Sequence, residues 1–121
     1  MDFSTSSNSG QSNAMISYVS GARPTGDWQS AFMRWSQARI YYPEAAVAQG
    51  DEGTAAVELE ILADGTVRSV RLINTSRSPF LDGGAIDMYR RQTVPAFTPD
   101  MAAQEKSTII RVNLTYHIIR H

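Results

Sequence analysis

His117 and His121 stand four positions apart at the end of this 121-residue chain, a spacing that on a helix would aim both imidazoles at one metal ion. The segment that carries them, IIRVNLTYHIIRH, alternates instead: Ile110, Val112, Leu114, Tyr116 and Ile118 are apolar or aromatic, with Arg111, Asn113, Thr115 and His117 between them. That is the period-2 pattern of a half-buried strand, on which four residues span roughly 13 Å. Two histidines so far apart do not share an ion, and no acidic residue nearby in sequence completes a ligand set, so no metal site is expected. Asp51-Glu52 and the Glu58/Glu60 pair are the carboxylates that acid–base chemistry would need. Glu58 and Glu60 occupy the polar positions of another alternating run, GTAAVELEIL, where solvation accounts for them. Asp64-Gly65 reads as a tight turn between strands. No glycine-rich phosphate loop, Ser-His-Asp set or HExxH motif is present. Nucleophile, base and orienting group do not come together, so catalytic residues, cofactors and enzymatic turnover are not expected.

Two other groups invite a ligand. Trp28, Phe32 and Trp35 recur at helical spacing, which makes a packing face before it makes a binding platform. Arg90-Arg91 could hold a carboxylate, but at the end of a helix such a pair also complements the helix dipole. The triplets Asn74-Thr75-Ser76 and Asn113-Leu114-Thr115 have the form of glycan acceptors, yet Asn113 lies inside a strand pattern.

The elements that must position these residues follow from punctuation and period. Residues 1–26 are rich in Ser, Asn and Gly and lack a sustained apolar period, which predicts a disordered tail. Within it, Ser12-Asn13-Ala14-Met15 has the form of an expression-tag remnant ahead of a start methionine. From Asp27, a candidate cap, an amphipathic helix presents Trp28, Ala31, Phe32 and Trp35. Arg39, Ile40 and Tyr41 connect it to a short helix opened by Tyr42-Pro43 and stopped near Gly50. Residues 53–62 and 66–74 form a hairpin; Val67 and Val70 have opposite parity, which predicts a bulge or two-sided burial. Ser78-Pro79 opens a helix with Leu81, Ala85, Met88, Tyr89 and Gln92 on one stripe, weakened by Gly83-Gly84. Pro95 and Pro99 make a loop before the last strand. The expected domain, residues 27–121, is therefore α+β: a three-stranded antiparallel sheet, hairpin plus C-terminal edge strand, packed on helices, with an extra N-terminal amphipathic helix.

With 11 basic and 12 acidic residues the net charge is −1, which gives nucleic acid or anionic lipid no basic face to meet. No run approaches the roughly 20 apolar residues of a membrane span, and no secretory leader is recognisable. The absence of cysteine suits the cytosol and the bacterial periplasm equally.

The order Tyr42-Pro43, Gly50, Gly53-Thr54, Asp64-Gly65, Val67, Ser76, Leu81-Asp82, Ala85, Arg90-Arg91 resembles the C-terminal domain of TonB, the energy transducer of Gram-negative bacteria. The resemblance implies a periplasmic domain anchored to the inner membrane by an N-terminal helix and a Pro-rich linker. It further implies that the TonB box of outer-membrane transporters adds as a strand beside the last strand, at Ile109, Arg111, Asn113, Thr115, His117 and Ile119. The residues before the short helix (Arg39, Ile40, Tyr41, Tyr42) would also touch the box. Inner-membrane motor proteins driven by the proton gradient would supply the force for uptake of siderophores and other scarce nutrients. A homodimer through the same edge strand is a further expectation. The alternative is a TolA-like or TonB-like envelope assembly domain that serves no transporter.

Overall fold

The structure, a computed structural model, describes residues 8–120. Its frame is the hairpin of β2 (Gly53–Leu62) and β3 (Val67–Asn74). At the turn, Gly65 takes φ +92°, and a Cβ there would run into the Val94 carbonyl oxygen; the Asp64 carboxylate accepts from Thr66 N at 2.9 Å. The parity conflict resolves as a bulge, since Ile61 pairs with Val67 and Glu60 with Ser69. The last strand, β4 (Ser107–Arg120), lies antiparallel on the other side of β2.

Among the described residues, four helices complete the fold. Helix α1 (Gly26–Arg39) is capped by Thr25, whose side chain accepts from Trp28 N, rather than by Asp27, which lies in its first turn. Helix α2 (Glu44–Gln49) stops at left-handed Gly50. Helix α3 (Pro79–Tyr89) starts under a Ser78 cap and buries Leu81, Ala85, Met88 and Tyr89. Gln92 lies beyond its end and is exposed, because the helix stops at Tyr89 and Arg91 turns left-handed. One turn of helix, α4 (Pro99–Ala102), sits in the segment expected to be all loop, capped by Thr98 and closed over buried Met101.

Trp28 and Phe32 are fully buried and stack at 5.1 Å. Phe32 and Trp35 each stack on Tyr89 at 5.8 Å, so the aromatic stripe is a packing face. Burial of such side chains contributes about 1.5–3 kcal/mol each, which fastens α1 to α3. Both lie over the sheet face made by Val57, Leu59, Ile61, Ile110, Val112, Leu114 and Tyr116.

Two expectations about the sheet are also corrected. The sheet has four strands in the order β1-β4-β2-β3, so the C-terminal strand is interior instead of an edge. The added strand, β1 (Asn8–Gly21), comes from the segment expected to be disordered. It runs antiparallel along β4 from Asn8 opposite Arg120 to Gly21 opposite Thr108. The expectation failed because composition measures what a segment can bury by itself. This segment is ordered by its partner, whose row of backbone N–H and C=O groups it completes. Its own apolar contribution is modest: Ala14 is buried and Ile16 half-buried, while Met15, Tyr18 and Val19 are exposed. The quartet at residues 12–15 thus lies within the ladder, not in a tail. His121 and residues 1–7 lie outside the described residues.

Candidate functional site

Antiparallel pairing fixes which way each backbone group of β4 points. Ile118 N donates to Glu52 Oε2 at 2.7 Å, just beyond the end of the β2 pairing, so by alternation the N–H groups of Ile110, Val112, Leu114 and Tyr116 point to β2. Alternation then turns the N–H groups of Arg111, Asn113, Thr115 and His117 the other way, toward Ser17, Met15, Asn13 and Gln11 of β1. Ala14 confirms the phase, since its N–H points away from β4 and donates to Gln37 Oε1 of α1 at 3.0 Å. The outward row of β4 is therefore real, and β1 fills it.

The side chains of this row look elsewhere. Arg111, Asn113, Thr115 and His117 are exposed on the sheet face opposite the helices. Arg111 Nε donates to Glu58 Oε1 at 3.2 Å. Thr115 Oγ1 lies 3.1 Å from Thr54 Oγ1. His117 Nδ1 lies 3.3 Å from Glu52 Oε2. All three lean toward β2 and its approach, so the edge offers β1 mainly backbone. Glu58 also accepts from Arg71 Nη2 at 2.7 Å; that hydrogen bond above all, with Arg111 adding, holds its carboxyl below the usual glutamate value against a smaller desolvation cost. Ile109 is half-buried at the far end of the strand, and Ile119 pairs in backbone register with Ser9.

The connector divides in two. Arg39 folds back on α1, its guanidinium 4.3 Å from the Trp35 ring centroid. Ile40 caps α1 and is half-buried, and Tyr41 is exposed with its ring near Gly84. Tyr42 alone reaches the seam. It packs edge-on against Tyr116 at 5.3 Å, donates to the Asp51 carbonyl, and lies so close to β1 that a Cβ at Gly10 would overlap its ring. Of the two residue groups expected to touch a partner, Tyr42 and the outer row of β4 thus converge, and they converge on β1. An open depression of about 430 Å³ follows the same seam, lined by Gln11, Ser12, Asn13, Thr115 and His117.

Sequence reasoning missed β1 and Gln37, and read Glu52 only as a candidate acid–base carboxylate, not as the partner of Ile118 N and His117. The signal for β1 was present in Ala14, Ile16 and Tyr18 at period 2, but Met15 and Val19 blur it. Val19 is skipped where the register shifts between Tyr18 and Ser20. Among the described residues, no group of three or more His, Cys, Asp and Glu could hold a metal ion. No described helix is long and apolar enough to cross a membrane.

Comparison with curated proteins and with solved structures finds no match. Residues 38–118 match the family model described as Gram-negative bacterial TonB protein C-terminal. That span takes in the connector, the hairpin, α3 and nearly all of β4, and by it the chain belongs to the TonB C-terminal domain family.

Proposed function

We propose that this domain works in the periplasm as a docking module. It takes the TonB box of an outer-membrane transporter into its sheet as an added strand and passes on a pull generated at the inner membrane by proton-driven motor proteins. The observation that carries the reading is the outer row of β4, which pairs with an antiparallel segment along its whole length, as β1 does. Strand addition puts affinity in backbone groups and leaves side chains to tune it, which matches a row whose side chains are engaged toward β2. Five or six ladder bonds at a net 0.5–1.5 kcal/mol each give roughly 3–8 kcal/mol before ordering costs, a joint in the weak to micromolar range. Such a joint can release after each transport cycle. A second copy would pair through the outer side of β1, or by exchanging β1, since β4 itself is covered.

Titration of the isotope-labelled chain with a synthetic TonB-box peptide tests the reading. The expected result is that amides of residues 109–119 and their β1 partners shift first. Shifts confined to α1 would refute it. Binding to envelope scaffold proteins with none to the peptide would move the domain to the assembly class.

A further inference from the structure

The two halves of β1 are held very differently. At the Gly21 end, Ala22 N donates to Ser107 O at 2.8 Å, and Thr108 Oγ1 donates to Ala22 O at 2.6 Å. Gln104 clasps Arg23 from both sides, accepting from its N at 2.9 Å and donating to its O at 3.3 Å. Tyr18 OH donates to Gly21 O at 2.7 Å, under the Arg23 guanidinium 4.5 Å from its ring. Ala22 is fully buried, and Gly21 at φ +83° brings the chain so close to Ser107 O that a Cβ would not fit. Toward the other end, within residues 10–14, Ala14 alone is deeply buried. Beyond it, residues 10–13 read Gly-Gln-Ser-Asn, a poor strand composition, held by the ladder and by the Tyr42 ring over Gly10.

We propose that residues 8–13 occupy the docking edge of β4 in cis and are peeled off from the Asn8 end by the incoming transporter segment, while residues 18–23 stay as the hinge. The inference rests on the docking reading above and adds its regulation. A strand supplied by the same chain competes at an effective concentration on the order of millimolar. The apparent affinity for the transporter segment is then the intrinsic one scaled by the fraction of molecules with β4 uncovered. Tyr42 is part of the device, since the ring that covers Gly10 also packs on Tyr116 and would close on whichever strand lies there. The result is a β4 edge that is paired whenever no transporter is engaged.

The chain has no cysteine, so a single crosslink is clean. Gln11 and His117 form a hydrogen-bonded pair on the open face, with Cα atoms about 5.5 Å apart by ladder geometry, inside the disulfide range. In the full chain carrying Gln11→Cys and His117→Cys, calorimetry with the TonB-box peptide should show binding at least about tenfold weaker oxidised than reduced. Asn13→Pro, which removes a β1 N–H directed at β4, should tighten binding about tenfold over the unsubstituted chain. Hydrogen exchange on the unsubstituted chain should show Gln11 and Asn13 losing protection as peptide saturates, with Ala22 N–H unchanged. Equal binding by the oxidised and reduced forms, or Gln11 and Asn13 protected at saturation, would overturn the inference and leave the docking reading standing. No binding by any form, Asn13→Pro included, would remove the docking reading and the inference together.

Discussion

Ser36 and Tyr89 meet inside the helical layer, with hydroxyl oxygens 2.7 Å apart and both residues fully buried. Deleting one hydroxyl strands the other, so Tyr89→Phe should cost about 1–3 kcal/mol in urea unfolding, and adding Ser36→Ala should recover part of it. Burial also pushes the Tyr89 phenol above its ordinary value, partly offset by the Ser36 hydrogen bond. Burial does the same at Tyr116, with Tyr41, Asp82 and Tyr42 adding. Because the folded value lies above the unfolded one, this stability is whole below the unfolded tyrosine pKa of about 10 and declines as pH rises beyond it. The slope is up to about 1.4 kcal/mol per pH unit for each group. Stability measured from pH 9 to 12 should fall along this limb, and Tyr89→Phe should flatten it. Glu58 has the opposite sign: its folded value is depressed, so its contribution is present above the unfolded glutamate value and is lost as pH falls through the folded one. Glu58→Gln should therefore flatten the acid limb and leave the alkaline one unchanged. None of these pairings was legible in sequence, because Ser36 and Tyr89 are joined only by the crossing of two helices.

At the scale of the element, neighbouring glycines separate propensity from packing. Gly83 and Gly84 both sit in α3, but a Cβ at Gly83 meets nothing within 4 Å, while one at Gly84 would lie 3.2 Å from Pro43 Cγ and 3.5 Å from the Tyr41 hydroxyl. Gly83→Ala should raise stability by up to about 1 kcal/mol, the helix-propensity difference, whereas Gly84→Ala should lose that gain by crowding the connector. Thermal unfolding of the two variants distinguishes them. The sequence makes α3 legible through Ser78-Pro79 and its apolar stripe, and the hairpin through Asp64-Gly65 and alternation, since both signals are local. Strand β1 is different. Its order resides in contacts with Ser107, Thr108 and the odd positions of β4, nearly a chain length away, which the blurred period of Ala14, Ile16 and Tyr18 does not reveal. The same distance hid the candidate site: β4 itself could be read from its alternation, but not the strand beside it.

At the scale of the whole molecule, the strand order places both ends of the described chain on one rung, Asn8 opposite Arg120. For a domain that relays tension, this sets the load path. Force applied between the two ends loads the β1–β4 ladder in the unzipping direction, where bonds fail in succession instead of sharing the load. The remaining sheet is spared, because β4 stays bonded to β2 along its other side. Held at residue 8 and residue 120 in an optical trap, the chain should show a first low-force event that peels β1 (Asn8–Gly21) from its Asn8 end back toward the hinge at residues 18–23. A separate, stronger event should follow as the core yields. Rupture in one step at a single high force would show that β1 is no weaker than the core. Where the chain continues ahead of Asn8 into a tether, tension itself bares the β4 edge, so a taut tether favours engagement and a slack one lets the strand close again. On the proposed function, the antiparallel direction of this strand pair would make the domain a catch that is set by pulling.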